Sequence, residues 1–398
     1  MKRIAILGST GSIGQNTLNV IRAFPERFKV VALAAGSNLE EMKCQANEWK
    51  PLWICLAEKQ SADTISSGIP AGTKILMGIE GMIEIVQKKE VDFVVFATTG
   101  NWGLTPLLAA IKARKKIALA NKESLVMAGR IVTESAKKEG VVILPIDSEH
   151  NAIFQILNSN SYCSYHRIFL TCSGGPFLHV LKEQLETVTV QQALSHPRWK
   201  MGRKITVDSS TLMNKGLEII EAKWLFGASP DQIEVVIHPE TIIHSMVEFV
   251  DGSLIAQMGV TDMKGPIQYA LAYPDRFTAT TARLNLMELG QLTFMAPDMG
   301  RFPCLKIAYQ VAKSEESHSV VMNAVNDTVV SAFLNEQIRW IDIPLIIETV
   351  LSHHQSLANP DLEQILQLDQ WARQEATRMI ALLTGEQVHG YRVHSQTR

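Results

Sequence analysis

Through the first third of the chain, continuous apolar runs alternate with helix-spaced segments. RIAILG is followed by NTLNVIRAF, where Leu18, Ile21 and Arg22 stand at i, i+3 and i+4. FKVVALAAG and VDFVVFATTG are further β-branched runs. LTPLLAAIKARK follows the latter, with Leu104, Leu107, Leu108 and Ile111 at i, i+3, i+4 and i+7. KIALAN, ESLVMAGRIVTESAKKEG and VVILPID continue the alternation. A run that is apolar along its whole length is buried on both faces. The amphipathic segments supply the cover, so the pattern predicts a parallel sheet with helices on both sides. Ligands of such a sheet bind beyond the carboxyl ends of its strands. Those ends here are GSTGSIG, AAGSN, ATTGNW, ANKE and PIDSEH, all polar or glycine-rich.

The chain has 398 residues, of which 46% are apolar and 20% charged, the balance of a soluble globular protein. That length predicts roughly two to three domains. A formal net charge of -2 carries no footprint for nucleic acid or an anionic membrane. Cys44, Cys55, Cys163, Cys172 and Cys304 include no C-x-x-C pair. They predict reduced thiols in a cytoplasmic protein rather than a disulfide framework or structural zinc. The apolar run in MKRIAILG is about five residues, below the roughly seven of a signal-peptide h-region. No stretch approaches the roughly 20 apolar residues of a membrane span.

The first strand end, Gly8-Ser-Thr-Gly11-Ser-Ile-Gly14, lies between a predicted strand and a predicted helix. Its glycines permit a tight turn and close backbone approach. Thr10, Ser12 and the first helical N–H groups then face outward as donors to a diphosphate, aided by the helix dipole. The plain alternative is a glycine-rich turn with no ligand. The second strand ends in Gly36-Ser37-Asn38, without the acid that bonds a ribose 2′-hydroxyl. A neutral turn admits a 2′-phosphate that a carboxylate would repel, so NADP is favoured over NAD.

The acids lie further on. Asp147, Ser148 and Glu149 in PIDSEHNAIFQ place two carboxylates at i and i+2, on one face of an extended chain. Such a pair suits a hard divalent cation. It also suits a simple helix cap for HNAIFQIL. In DSSTLMNKGLEIIEAKWLFG, residues 208 to 227, Asn214, Lys215, Glu218 and Glu221 fall close to one helical face. Glu218 offers a third carboxylate. Ser209, Asn214 and Lys215 suit a phosphate, unless the run is only a solvated charged face. TCSGGPF adds an anion nest or an empty turn at Ser173, Gly174 and Gly175. LSHPRWKMGRK carries His196, Trp199 and Met201 on a predicted loop that suits a lid. His238 and His244 read as structural, and Cys172 has no identifiable base that would make it a nucleophile.

In this order, GSTGSIG, ANKESLV, PIDSEHNAIFQ, TCSGGPF, HPRWKMGRKITVDSSTLMNKGLE and IHPETIIHSMVEFVDGS closely resemble the 1-deoxy-D-xylulose 5-phosphate reductoisomerase family. The resemblance runs from residue 4 to about 380, and the HPRWKMGRK…NKGLE block is its most specific part. It implies an NADPH-dependent oxidoreductase of non-mevalonate isoprenoid biosynthesis. The enzyme rearranges and reduces 1-deoxy-D-xylulose 5-phosphate, a small phosphorylated sugar, to 2-C-methyl-D-erythritol 4-phosphate. Cofactor positions match Thr10, Gly11, Ser12, Ile13, Gly36, Ser37, Asn38, Asn121, Glu123 and Gly202. Some family members carry a basic residue where Ser37 stands. Metal positions match Asp147, Glu149 and Glu218, with Mg²⁺, Mn²⁺ or Co²⁺ as the ion. Substrate positions match Lys122, Ser148, Glu149, Ser173, His196, Trp199, Ser209, Asn214, Lys215 and Glu218. Lys122, Glu149 and His196 are the catalytic positions, Lys122 and Glu149 as proton handlers. Trp199 is implied to cover the substrate and exclude water. The ion is implied to stabilise the enolate formed as the carbon chain breaks and recombines, ahead of reduction.

The expected architecture is α/β. An N-terminal Rossmann-like parallel sheet spans 1–147, and a central α+β catalytic and dimerisation domain with the lid loop spans 148–275. A linker covers 276–299 and a helical bundle 300–398. Asp251-Gly252 between β-rich runs predicts a hairpin. Part of that sheet is implied to form a homodimer interface. Ile365, Leu368, Ala372, Ala376, Met379 and Leu383 step like a bundle helix, with Asp369 interrupting and offering a later cap. The polar tail after about residue 384 is expected to fray. Other readings are an NADP-dependent dehydrogenase of a semialdehyde or homoserine without isomerisation, or a nucleotide-sensing regulatory protein. The first needs no Asp147, Glu149 and Glu218 metal site, and the second needs the glycine loop but not Lys122, Lys215 and the lid.

Overall fold

The computed structural model describes residues 1–57, 65, 68–159, 164–199 and 201–385. Cys163 and the tail beyond 385 lie outside the described residues. The chain divides into two compact units. The first comprises Met1–Gly174, Pro197–Gly202 and Leu217–Pro297. The second comprises Gly175–His196, Arg203–Gly216 and Asp298–Arg398.

In the first unit, the predicted parallel sheet has seven strands. They are β1 (Lys2–Leu7), β2 (Phe28–Ala35), β3 (Trp53–Leu56), β4 (Lys74–Met77), β5 (Phe93–Phe96), β6 (Lys116–Leu119) and β7 (Ile143–Pro145). Their order is β4-β3-β2-β1-β5-β6-β7, every pair parallel. Strand order reverses where β1 meets β5, which sets a crevice beyond their carboxyl ends. Ile4, Ile6, Leu33, Ile54, Phe93 and Val95 are fully buried in this sheet, as continuous apolar strands require. β3 and β4 were not singled out in the sequence.

A second sheet in the same unit has β8 (Tyr165–Cys172), β9 (Ile233–Ile237), β10 (Ile243–Phe249) and β11 (Leu254–Met258), in the order β11-β10-β8-β9. β10 and β11 form the expected antiparallel hairpin, with Gly252 at φ +82° in its turn. His238 is structural, as read. Its Nε2 accepts from the N–H groups of Ile242 and Ile243 at 3.2 and 3.1 Å, tying down the start of β10.

The second unit is helical, with Arg203–Ser210, Pro303–Lys313, Glu316–Leu334, Asp342–His353 and Leu362–Thr384. One expectation is corrected. Asp369 neither interrupts nor caps the last helix. The cap is Asp361, which accepts from the Gln364 N–H at 2.9 Å. Asp369 instead lies on the buried face with Ile365, Ala372, Ala376 and Ile380, paired with Arg373, while Leu383 is exposed. Asn214, Lys215, Glu218 and Glu221 do share one helix, Met213–Phe226, which is separate from the helix before it. The break falls between Ser210 and Met213, with Leu212 at φ +59°, and the Thr211 hydroxyl caps the new helix at the Met213 N–H. Among the described residues, no helix is long and apolar enough to cross a membrane.

Candidate active site

The GSTGSIG loop turns from β1 into the helix Ser12–Ala23. Gly8 sits at φ +94°, where an added Cβ would lie 2.3 Å from the Ala97 carbonyl oxygen at the end of β5. A Cβ on Gly14 would lie 2.3 Å from the Gly8 carbonyl oxygen. These two glycines serve the fold itself. Gly11 differs, since its Cβ would meet nothing closer than 3.5 Å. It stands at the helix N-cap, exposed, and the helix has no acidic residue in its first turn. The loop therefore keeps an open backbone approach to a helix N-terminus, which fits a cofactor diphosphate. Thr10 and Gly11 line a cavity of about 340 Å³ together with Gly36, Ser37 and Asn38 at the end of β2. Asn38 also caps the helix Leu39–Trp49 by accepting from the Glu41 N–H at 3.2 Å.

Asn121 and Glu123 lie on the other side of the reversal, at the end of β6. Both are buried. The Asn121 amide reaches the carbonyls of Thr98 and Gly100 at 3.0 and 2.9 Å and the Glu123 carboxylate at 3.0 Å. The Ser124 hydroxyl donates to its oxygen. The Asn121 side chain thus organises the turn after β5.

The charged cluster lies at the next strand ends. Lys122 opens the helix Lys122–Glu139 after β6, and Ser148 opens the helix Ser148–Ser159 after β7. Both helices therefore bring their first turns to the ligand-binding edge. Lys122 Nζ pairs with Asp147 and, at 3.3 Å, with Glu218 Oε1. Burial works against its charge, but Asp147, Glu218 and Glu221 outweigh it and hold the Lys122 pKa well above the ordinary ammonium value. Glu221 is instead pushed toward its neutral form. Burial and the repulsion of Asp147 raise its pKa well above the carboxylate range, against the pull of Lys122.

Packing sets the spacing of these groups. The helix Lys122–Glu139 departs from helical geometry at Ala128, and the next residue, Gly129, lies against the Trp224 ring. Trp224 belongs to the helix Met213–Phe226, which carries Glu218. His150 adds a tie, its Nε2 lying 2.9 Å from the Glu218 carbonyl oxygen. Glu149 accepts the Ser148 hydroxyl at 2.6 Å. Asp147, His150 and Glu218 offer ligand atoms that all lie within 4.8 Å of one another. Two carboxylates and an imidazole converging beside the Lys122 ammonium form a donor set that fits a divalent ion, and Glu149, the third expected ligand, is not in that group.

The other candidate residues lie around the turn after β8 and in the second unit. Gly174 and Gly175, which follow Ser173, have φ of +83° and +70°. Gly175 passes so close to Ser209 that a Cβ would lie 2.6 Å from the Ser209 carbonyl oxygen. The neighbours of Ser209 are anchored in the helices. Asp208 accepts from the Asn326 amide at 2.8 Å, and the Ser210 hydroxyl accepts from the Trp340 indole at 2.9 Å. Asn214 and Lys215 occupy the first turn of Met213–Phe226, and Lys215 is buried. Burial lowers the His196 pKa to about 4, so the ring is neutral at pH 7. Trp199 is half-buried and Gly202 exposed on the segment Pro197–Gly202.

The family model for 1-deoxy-D-xylulose 5-phosphate reductoisomerase matches residues 4–129. Its C-terminal domain matches 143–226, and a DXP reductoisomerase C-terminal domain matches 258–375. The 1-deoxy-D-xylulose 5-phosphate reductoisomerase of Desulforamulus reducens is 50% identical, over 96% of this chain and 99% of its own. The chain belongs to the 1-deoxy-D-xylulose 5-phosphate reductoisomerase family. The reductoisomerase of Shouchella clausii is 49% identical over 94% of this chain and 99% of its own. A crystal structure of DOX-P reductoisomerase in complex with NADPH, fosmidomycin and magnesium superposes with a TM-score of 0.90 at 43% identity. It covers 97% of this chain and 100% of that one. The Zymomonas mobilis reductoisomerase in complex with NADPH gives 0.88 at 37% identity, covering 95% and 99%.

Within this reductoisomerase fold, sequence reasoning missed His150 and Trp102. His150 directly follows the Asp-Ser-Glu triplet, and its place in the first turn of the helix Ser148–Ser159 was the available signal. Trp102 lines the cavity beside Gly11 and Gly36, and its presence in the strand end ATTGNW was the available signal.

Proposed function

We propose that this chain isomerises and reduces 1-deoxy-D-xylulose 5-phosphate to 2-C-methyl-D-erythritol 4-phosphate at a centre built on Lys122, Asp147, Glu149 and Glu218. The observation that carries the site is the buried Lys122, clasped by Asp147 and Glu218 at the carboxyl edge of the parallel sheet. A dehydrogenase that only moves a hydride has no need of such a cluster.

NADPH and a divalent metal are the cofactors. The metal supplies Lewis acidity towards the substrate's ketone and neighbouring hydroxyl oxygens, and NADPH supplies the reducing equivalent. Asp147, Glu149 and Glu218 hold the ion. Lys122 keeps the carboxylates compensated and, with Glu149, handles protons at the substrate oxygens. Thr10 to Ile13 bind the cofactor diphosphate, with Gly36, Ser37 and Asn38 at the ribose and Asn121, Glu123 and Gly202 nearer the nicotinamide. Ser173, Ser209, Asn214 and Lys215 take the substrate phosphate, so that remote binding energy positions the reacting end. Ser148 and His196 complete the substrate contacts, and Trp199 covers them. Purified protein is mixed with NADPH, Mn²⁺ and 1-deoxy-D-xylulose 5-phosphate, with and without a chelator. NADPH oxidation that stops with the chelator is expected. No oxidation, or oxidation indifferent to the chelator, overturns the reading.

The protein works as a cytoplasmic homodimer. β11 supports the dimer, because it is an edge strand with Leu254, Ile255 and Met258 exposed, a surface suited to a second copy. Cys44, Cys55 and Cys304 form no disulfide among the described residues, which supports a reducing compartment. Light scattering of an Ile255→Lys variant is expected to give a monomer mass where the parent gives a dimer.

A further inference from the structure

We propose that Trp102 is a cofactor-binding residue whose indole closes the adenosine side of the nucleotide cavity and stacks on the adenine ring. The inference rests on the NADPH reading above. Trp102 lies on the short 3₁₀ turn Gly100–Gly103 after β5 and is 46% exposed. Its mounting is rigid. Asn121 holds the carbonyls of Thr98 and Gly100, and Gly103 sits so close beneath the turn that a Cβ would lie 2.7 Å from the Asn121 oxygen. Gly100 takes φ +64°, which turns the chain sharply ahead of the indole.

The cavity that Trp102 lines shows which half of the cofactor it meets. Its walls come from the ends of β1, β2, β3 and β5 and from Gly78 and Met82 after β4, and among the described residues none of β6 or β7 lines it. It therefore lies on the β2 side of the strand-order reversal, the half that takes adenosine in a dinucleotide fold. Beyond the polar Gly36-Ser37-Asn38 turn, the lining includes Ala35, Leu56, Ala57, Met82 and Ala97. A flat, apolar-faced ring suits such a wall on one side and an indole on the other. An exposed tryptophan lining that space on a hydrogen-bonded turn supplies a stacking partner with only two side-chain torsions to fix.

The test uses the full-length protein and isothermal titration. NADPH binding by the parent protein confirms the cofactor reading independently of Trp102, and its absence overturns both. In Trp102→Ala, the dissociation constant of 2′,5′-ADP, the adenine half of the cofactor, is expected to rise about 5- to 50-fold. That of reduced nicotinamide mononucleotide is expected to stay within about two-fold, and Trp102→Phe should restore most of the 2′,5′-ADP affinity. Unchanged 2′,5′-ADP affinity in Trp102→Ala overturns the inference. So does an equal loss for both halves, or a phenylalanine variant as weak as the alanine one.

Discussion

Lys122 Nζ lies 3.3 Å from Glu218 Oε1 although 96 residues separate them in the chain. Glu218 is fully buried, and its negative charge is one of those that keep Lys122 protonated. Glu218→Gln keeps the side-chain shape and removes the charge. Metal-dependent turnover is expected to fall by about 100-fold or more, since an amide is a poor ligand for a hard divalent ion. NADPH affinity, measured by fluorescence titration, should stay within about two-fold, because the crevice at β1 and β2 does not depend on Glu218. Loss of both together would mean misfolding and would count against the assignment.

The spacing of that pair depends on Gly129. A Cβ there would lie 2.1 Å from the Trp224 ring, too close for any rotamer adjustment of so large a side chain. Gly129→Ala is expected to cost about 1–3 kcal/mol by overpacking. The thermal midpoint should fall by several degrees, and the double variant Gly129→Ala with Trp224→Leu should regain part of the loss. A midpoint unchanged in Gly129→Ala would show that the two helices slide freely.

In the second unit, Asp327 bridges Lys204 and Arg373, at 3.0 and 2.9 Å. Burial raises its pKa, but the two cations outweigh burial and hold it below the ordinary carboxylate value. A carboxylate with a depressed folded pKa contributes stability that is complete above the unfolded pKa, near 4, and is lost as pH falls through the folded value. Asp327→Asn is therefore expected to lose about 2–4 kcal/mol at pH 7. It should also lose less than the parent as pH falls from 7 through the unfolded value near 4 and below, where the parent carboxylate is titrated. Urea unfolding followed by far-UV circular dichroism across that range checks both.

Features with strong local signatures were legible in the sequence. The strand ends could be read because a fully buried parallel strand is apolar along its whole length and then stops at glycine or a polar residue. The β10–β11 hairpin followed from Asp251-Gly252, and the placing of Lys215 and Glu218 on one helix from their spacing. Features set by tertiary context were not legible. β3 and β4 have four residues each, too few to show a period. Leucine seldom adopts a left-handed backbone, so nothing in the sequence marked Leu212 as the break between two helices. Asp369 looked like a break because a carboxylate on an apolar stripe is costly. Arg373, one turn later, compensates it, and that i,i+4 pair was present in the sequence to be read. The roles of Asp208 and Ser210 depend on Asn326 and Trp340, more than a hundred residues away, and no local pattern encodes such a pairing.

That last pairing yields a prediction about substrate affinity, resting on Ser209 as a phosphate ligand. Trp340 packs edge-on against Phe177 and Phe302, with ring centroids 5.7 and 6.3 Å apart, and donates its indole N–H to the Ser210 hydroxyl. Trp340→Phe keeps most of the aromatic packing and removes the hydrogen bond, so the unit stays folded while Ser210 loses one of its anchors. The backbone at Ser209 then keeps the Asp208–Asn326 tie but loses the tie to Trp340. The KM for 1-deoxy-D-xylulose 5-phosphate is expected to rise about 3- to 10-fold, the worth of one net hydrogen bond. kcat and the KM for NADPH should change little. The decisive comparison uses the substrate without its phosphate. If Trp340 acts through Ser209, kcat/KM for 1-deoxy-D-xylulose should be nearly the same in parent and variant, because the missing group is the one the anchor serves. An equal loss on both substrates would show a general loosening of the second unit and would remove Trp340 from the positioning of the phosphate.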